Sequence, residues 1–393
     1  MKKSMLLSAA LLIGLFGFSQ DKKASIEKAK SLIAEHKYNS AFNELAKSDP
    51  ENQDVETVLL KEEIVLEYFV MSISHQMFSL MDIGKDENIM DFRGQESTSD
   101  MIMFSPEEAL MNLEKSGVKD CRIYKGLAYL YFEVHLKYGE YPGEQDIFSL
   151  MAQNAQSAID GNCADFLTHY IRGYDYVIHE DYENAKKHFI SSIEMNNMYP
   201  SAQYNLAYIY MIQGDNDNTI KYGKEAYEKY DDNTYKSDAA RMVAGVYLDT
   251  KNTKLAIEYL EKADMIDPGN VYNLGMLVEA YLDASNTLYK AKTQELFFVE
   301  PDDTEMYFQL NDLYSLHNKQ KELISFYEDR LKEYKEDHGV AGLLHYFMAS
   351  LQKETDKKAA KKNLIASKEH FTIILEPGSE VFQAIDEALE EVK

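Results

Sequence analysis

Residues 166–189 read FLTHYIRGYDYVIHEDYENAKKHF, and the spacing within this stretch decides the fold. Tyr176 lies three residues after Gly173, Ala185 lies nine residues after Tyr176, and Phe189 lies four residues after Ala185. Small residues at a helix crossing leave room for an aromatic ring, so the spacing indicates two helices packed against each other. The same frame returns with its Tyr residues 34, 37 and 34 positions apart, at Ala207-x-x-Tyr210, Ala244-x-x-Tyr247 and Val278-x-x-Tyr281.

The period and the small–aromatic–Ala–aromatic pattern resemble those of the tetratricopeptide repeat, a helix-turn-helix unit that stacks into a solenoid. The resemblance is specific over residues 166–268 and looser elsewhere. It implies an all-α, tetratricopeptide-like solenoid of about seven to eight helical hairpins over residues 20–393. A polar helix over residues 379–392 is expected to close the array, because repeat arrays need a cap at their open ends.

Three segments depart from the repeat frame. Residues 55–81 are strongly apolar and are predicted to be helical, although they lack the small residues of the frame. Polar stretches containing Gly predict loop insertions at about 84–104 and 137–146. We expect the second insertion to project from one edge of its repeat.

The N-terminus has the order of a secretory signal peptide, which we predict over residues 1–19. Lys2 and Lys3 precede an apolar stretch from Met5 to Phe18, and the small residue Ser19 follows. A membrane anchor is the alternative, but this stretch is shorter than the roughly 20 apolar residues that span a bilayer. No later segment is apolar enough to cross a membrane. We therefore expect a periplasmic or secreted protein, exported by a bacterium.

The chain is strongly acidic, with 67 Asp and Glu against 41 Lys and Arg, which gives a formal charge of −26. Removing the signal peptide also removes its two Lys residues, so the charge becomes −28. Such a chain repels phosphate backbones and anionic lipid surfaces, which excludes nucleic acid as an expected partner. The favoured partner is a protein, in particular one with a basic segment.

Cys121 and Cys163 are the two cysteines of the chain. An exported protein meets an oxidising compartment, so these residues form a candidate disulfide. Both precede the first helix of consecutive repeats, but not at equivalent positions. The alternative is that they are two independent small core residues.

Motifs for catalysis, metals and cofactors are absent from the sequence. It contains no Gly-x-Ser-x-Gly motif, no glycine-rich phosphate loop, and no His-x-x-x-His or Cys-x-x-Cys pair. His179, Glu180, Asp181 and His188 form the densest group of possible metal ligands, and we interpret them as a solvated turn. We therefore expect a non-enzymatic protein without a metal or a cofactor.

The resemblance also implies a binding site, because the first helix of each tetratricopeptide unit lines a concave groove. Its groove-facing positions lie two, five, six and nine residues before the frame Tyr and one and two after it. Mapped onto this chain, these positions include an aromatic strip followed by a mostly acidic stretch: Tyr170, Tyr174, Tyr204, Asn205, Tyr208, Asp238, Arg241, Asp249, Glu279, Asp283, Phe308 and Asp312.

Two functions and one structural alternative fit this strip. The first function is a protein-interaction scaffold of the bacterial cell envelope that binds a peptide or a helix in its groove. The second is a module for a non-protein envelope ligand such as a glycan, for which the aromatic rings would provide stacking faces. The structural alternative is that the Tyr residues only pack between neighbouring units.

Overall fold

The computed structural model describes residues 22–94, 101–138 and 146–393. The predicted signal peptide and residues 139–145 of the predicted second insertion therefore lie outside the described residues. The predicted all-α, tetratricopeptide-like fold class is confirmed, since helices make up almost all of the regular structure. The chain divides between Asn205 and Leu206 into two compact units.

Among its described residues, the first unit contains eight complete helices and a small sheet. Helix α9 (Pro200–Ile212) begins in this unit and ends beyond the division. The other helices are α1 (residues 22–34), α2 (Tyr38–Ser48), α3 (Val55–Glu67), α4 (Pro106–Lys115), α5 (Arg122–Tyr138), α6 (Ile147–Asp160), α7 (Phe166–Ile178) and α8 (Tyr182–Met195). Helices α5 and α6 pack as one pair, and α7 and α8 pack as the next.

A three-stranded antiparallel sheet interrupts the helices between α3 and α4. Its strands are β1 (Phe69–Ile73), β2 (Met77–Leu80) and β3 (Met101–Met103), in the order β1-β2-β3, and a 3-10 turn covers Ile89–Phe92. The prediction of a helix over residues 55–81 is wrong beyond Glu67, and the predicted loop at 84–104 includes this 3-10 turn and β3.

The physical reason is the turn between β1 and β2. Ser74 and His75 both adopt a positive φ, of 52° and 49°, which reverses the chain and allows β1 to pair with β2. Val70 and Phe78 are both buried in this hairpin. A short apolar run does not distinguish a helix from a strand by its periodicity alone.

The second unit contains ten further helices. These are α10 (Asn216–Lys229), α11 (Asn233–Asp249), α12 (Thr253–Ile266), α13 (Val271–Asp283), α14 (Tyr289–Val299), α15 (Thr304–Leu316), α16 (Gln320–Glu333), α17 (His338–Gln352), α18 (Lys357–Ile374) and α19 (Glu380–Glu391). Four consecutive pairs pack together from α11·α12 to α17·α18, and α19 packs on α18. One core of buried side chains runs from Val243 to Leu351.

Acidic N-caps start many of these helices. The Asp165 carboxylate accepts a hydrogen bond from the Thr168 backbone N–H at 3.1 Å, and Asp215 accepts one from Asn218 at the same distance. A side-chain oxygen at this position satisfies a backbone donor that has no partner within the helix. These caps account for part of the high content of Asp.

The helices of a pair approach closely where Gly faces a ring. A Cβ atom added to Gly173 would lie 2.7 Å from Phe189 Cε1, and one added to Gly342 would lie 2.8 Å from Phe371 Cζ. Phe189 is fully buried, and Ala185 lies one turn before it with no exposed surface. The contact between Gly173 and Phe189 therefore follows from the spacing that predicts the repeat.

Within the described residues, no helix combines the length and hydropathy that a bilayer span requires.

Candidate functional site

Tyr170 is the first residue of the predicted aromatic strip, but only 6% of its surface is exposed. Its hydroxyl accepts a hydrogen bond from Asn205 Nδ2 at 3.0 Å, and its ring centre lies 4.9 Å from Tyr199 and 5.6 Å from Phe189. Asn205 therefore holds Tyr170 in place. The prediction that Tyr170 lines a binding surface is wrong, because neighbouring rings cover it.

The other Tyr residues of the strip differ in exposure. Tyr174 is half-buried, its hydroxyl lies 3.3 Å from His135 Nε2, and burial raises the pKa of its phenol. Tyr204 is also half-buried, whereas Tyr208 exposes 38% of its surface. In this part of the strip, Tyr208 has the side chain that an incoming ligand could reach most easily.

The acidic stretch lies entirely in the second unit, on successive first helices of the repeats. Helix α11 contacts α13, and α13 contacts α15. We call the surface of these three helices the acidic face, and we define it by eight residues: Asp238, Arg241, Asp249, Tyr272, Glu279, Asp283, Phe308 and Asp312.

Arg241 organises the first end of the acidic face. Its guanidinium forms an ion pair with Asp238, one helical turn away, and its centre lies 5.2 Å from the ring centre of Tyr272 on α13. Arg241 Nη1 also lies 3.5 Å from Asn273 Oδ1. These contacts neutralise Asp238 and leave the Tyr272 ring 69% exposed.

Tyr272 was not among the predicted site residues. It lies nine residues before Tyr281, which is the position that Asp238 occupies relative to Tyr247. The rule that selected Asp238 could therefore have selected Tyr272. Its exposure depends on how α13 packs beside α11, which the spacing does not show.

Carboxylates accumulate at the other end of the acidic face. Glu279 is half-buried, and the pKa of its carboxyl is raised, first by burial and then by the nearby charge of Asp283. Asp249 raises this pKa further, whereas Lys251 and His317 lower it. The field at this end is therefore negative.

His317 partly offsets this field. His317 Nε2 lies 3.3 Å from Asp283 Oδ1, and the two residues belong to α13 and the end of α15. This contact carries an ionic attraction only when the imidazole is protonated. His317 was not predicted, because its link to Asp283 crosses from one repeat to the next.

Phe308 and Asp312 complete the acidic face on α15. Phe308 is 57% exposed, although its ring centre lies 4.8 Å from that of Phe347 on α17. Asp312 is exposed one turn later on the same helix. The face thus presents exposed rings beside carboxylates.

The remaining candidates are the cysteines and the His179 group. A disulfide joins Cys121 to Cys163, with their Cα atoms 5.8 Å apart. His179 is exposed, and its Nδ1 lies 2.9 Å from the Asp175 carbonyl oxygen. His188 instead faces His169, with the two Nδ1 atoms 3.1 Å apart. His179 and His188 therefore have different partners.

Residues 242–270, which include the second half of α11 and all of α12, match the family model for the tetratricopeptide repeat. The chain contains a tetratricopeptide repeat. The match includes the frame at Ala244 and Tyr247, and it ends two residues after Pro268, which closes that unit.

One curated relative is anaphase-promoting complex subunit 3 of Schizosaccharomyces pombe, which is 24% identical over 309 residues. The match covers 74% of this chain and 42% of that protein, so the chain spans less than half of the length of this relative.

Two solved bacterial structures are also similar. The C-terminal part of a tetratricopeptide repeat-containing protein from Cytophaga hutchinsonii is 13% identical, with a TM-score of 0.45, over 65% of this chain and 92% of that one. A tetratricopeptide repeat protein from Parabacteroides merdae is also 13% identical, with a TM-score of 0.42, over 68% of this chain and 98% of that one.

Proposed function

We propose that this chain is a non-enzymatic scaffold of the bacterial cell envelope, which binds a peptide or a helix of a partner protein on its acidic face. Tetratricopeptide proteins are in general protein-interaction scaffolds. The observation that carries the proposal is the placement of Tyr272 and Phe308, two large rings that are more than half exposed on neighbouring repeats. Rings of this kind anchor protein interfaces at a modest cost in side-chain entropy.

The charge of the acidic face selects the partner. Asp249, Glu279 and Asp283 concentrate negative charge at one end, where the raised pKa of Glu279 reflects burial and the neighbouring carboxylates. A partner segment with Lys or Arg beside an apolar residue would complement both ends of the face. The same charge disfavours nucleic acid, whose phosphates it repels.

The glycan alternative loses its main support. It requires a continuous row of rings as stacking faces, and this row was expected to begin at Tyr170 and Tyr174. Tyr170 is buried and Tyr174 is half-buried, so neither ring offers an open face. We therefore retain a protein partner as the proposal.

Export is part of the same proposal. The predicted signal peptide at residues 1–19 and the pairing of Cys121 with Cys163 both suit a chain that folds in an oxidising compartment. We expect the cellular protein to begin near Gln20 and to be lighter by two hydrogens than its reduced form. Intact mass spectrometry of the protein from its native cell, before and after reduction, measures both. A chain that retains Met5–Phe18, or that carries free thiols, would contradict export.

The site is tested first by photo-cross-linking in the native cell. A photoreactive amino acid at position 272 is expected to capture a partner. The same amino acid at position 265 is the control, because Met265 is 79% exposed but lies on α12, a second helix of a repeat. Equal capture at both positions would show that the acidic face has no special role.

Binding kinetics with the captured partner test the chemistry. The double change Glu279→Gln and Asp283→Asn is expected to slow association several-fold at low salt and to have little effect at high salt, because charges around a binding site mainly steer the encounter. The control has the same change in charge at two exposed residues away from the face, Glu228→Gln with Asp231→Asn. Surface-based kinetics at two ionic strengths measure both variants.

The aromatic residues are expected to act on dissociation instead. Tyr272→Ala, and separately Phe308→Ala, should speed dissociation about fivefold or more, as expected when an interface anchor worth at least about 1 kcal/mol is lost. Association rates should change little. Association that is independent of salt, together with unchanged dissociation of the Tyr272 and Phe308 variants, would place the binding site elsewhere on the chain.

A further inference from the structure

Two helix pairs, one in each unit, repeat the same arrangement of histidines. Gly173 faces Phe189 across α7 and α8, and Gly342 faces Phe371 across α17 and α18, so the two pairs can be aligned on this contact. In each pair, one His lies four residues before the Gly, and another lies directly before the Phe. These are His169 with His188, and His338 with His370.

The facing ring nitrogens are close in both pairs. The Nδ1 atoms of His169 and His188 lie 3.1 Å apart, and those of His338 and His370 lie 2.9 Å apart. Two neutral imidazoles at this distance can share one N–H···N hydrogen bond, with one ring as donor and the other as acceptor. Alternatively, both rings can adopt the tautomer that carries the proton on Nε2, which leaves the two Nδ1 lone pairs free to bind one cation.

The nitrogen separation is compatible with a shared divalent ion. Two imidazole nitrogens at roughly 2.0–2.1 Å from one ion lie about 2.9 Å apart at a right angle and about 3.3 Å apart at a tetrahedral angle. The Nδ1 atoms of His338 and His370 are joined by a hydrogen bond of 2.9 Å, and this separation also accommodates the right angle. Right-angled nitrogen coordination is the preference of Cu²⁺ and Ni²⁺, whereas Zn²⁺ prefers tetrahedral sites.

The surrounding charges distinguish the two pairs. The positive charges of Arg172 and Lys187 both oppose a positive charge on His188. The Arg172 guanidinium lies 4.1 Å from the ring centre of Tyr176, which stacks on His188. These cations would repel a metal ion at the pair on α7 and α8, whereas the charge of Asp165 acts on His169 in the opposite direction. The position of Tyr176 is taken on α17 by a third histidine, His345.

The pair on α17 and α18 has a more favourable environment. His345 stacks on His370 with ring centres 5.6 Å apart, and its Nδ1 lies 2.9 Å from Asn363 Oδ1. Glu369 favours positive charge at both of these histidines, and Lys362 opposes it at His345.

We propose that His338 and His370 form a binding site for a divalent ion with tetragonal coordination, Cu²⁺ or Ni²⁺, through their Nδ1 atoms. The remaining coordination positions would be filled by water or other small ligands. A bound ion would clamp α17 to α18, because its two ligands lie on different helices. This site is independent of the acidic face and of its proposed partner.

The test is calorimetric titration of the untagged full chain with Ni²⁺ near neutral pH. Wild type is expected to bind one equivalent, and His370→Gln should weaken binding by roughly tenfold or more, because a ligand is lost. His188→Gln is the matched control, since it removes the equivalent ring of the other pair and should leave the affinity unchanged. Wild-type binding no stronger than that of His370→Gln, or binding lost in His188→Gln, would overturn the assignment.

A second variant tests the same site in case His370→Gln does not fold. If His370→Gln loses its helical circular dichroism, His338→Gln takes its place, because this ring lies in the first turn of α17 and is partly exposed. Ni²⁺ should then raise the melting temperature of wild type and of His188→Gln, but not that of His338→Gln. An equal rise in all three would overturn the proposal.

Discussion

Phe189→Ala is expected to lower the free energy of unfolding by roughly 3–5 kcal/mol, the usual range for removing a buried aromatic ring. The ring is fully buried and fills the space above Gly173, where even one added carbon would lie 2.7 Å from it. It also packs against Tyr170, with ring centres 5.6 Å apart. Alanine would leave a cavity between α7 and α8 that the helices can close only in part.

Urea unfolding followed by circular dichroism measures this loss. The control is Phe308→Ala, which removes a ring that is 57% exposed and should cost about 1 kcal/mol, the value of one aromatic pair. Because the stability of repeats depends on nearest neighbours, the loss should appear first in the helices beside α7 and α8. Equal destabilisation by the two changes would mean that the Gly173 contact does not form.

Glu62→Gln is expected to stabilise the protein increasingly as the pH rises from about 4.5 to about 8. Glu62 lies on α3 with 4% of its surface exposed, and its Oε1 has no hydrogen-bond partner among the described residues. Burial raises the pKa of this carboxyl to about 8, although the nearby charge of Lys125 opposes the rise. Glutamine keeps the shape of the side chain and removes the charge.

The sign of this pH effect follows from the number of protons that Glu62 binds in the folded and the unfolded state. A carboxyl with a raised pKa in the folded state stabilises that state below its unfolded pKa, and this stability is lost as pH rises through the folded value. Wild type should therefore lose roughly 3–5 kcal/mol relative to Glu62→Gln between about pH 4.5 and pH 8. The two proteins should differ least near the acid end of this range.

Denaturant unfolding at several pH values measures the difference between the two proteins. Glu51→Gln is the control, because Glu51 is exposed and has the same charge. The free energy of unfolding of Glu51→Gln should differ from that of wild type by a nearly constant amount at all these pH values. A Glu62→Gln curve parallel to that of wild type would show that Glu62 is ionised in the folded protein.

The repeats could be predicted from the sequence because their signals are local. Gly173, Tyr176, Ala185 and Phe189 lie within 17 consecutive positions, and each position on a helix fixes the face on which the side chain lies. The Asp N-caps are local in the same way. The small sheet was missed because the mostly apolar pattern of residues 69–80 fits either a helix or a hairpin. The backbone conformation at Ser74 and His75 selects the hairpin.

The candidate site could be predicted only in part. Groove positions counted from the frame Tyr select Tyr170 and Tyr208 equally, yet Tyr170 is buried and Tyr208 is 38% exposed. Their difference comes from Tyr199, Phe189 and Asn205, which cover Tyr170. Counting along one helix does not include the side chains that a neighbouring helix supplies.

The sequence by itself determined the helical repeat, its period and the acidic character of the chain, because these depend on spacing within one helix pair and on composition. Only the tertiary structure decided which side chains remain exposed and which groups meet. His169 meets His188 across 19 residues, and His338 meets His370 across 32. Spacing within one helix does not show either contact, since each forms only when two separate helices pack in one particular register.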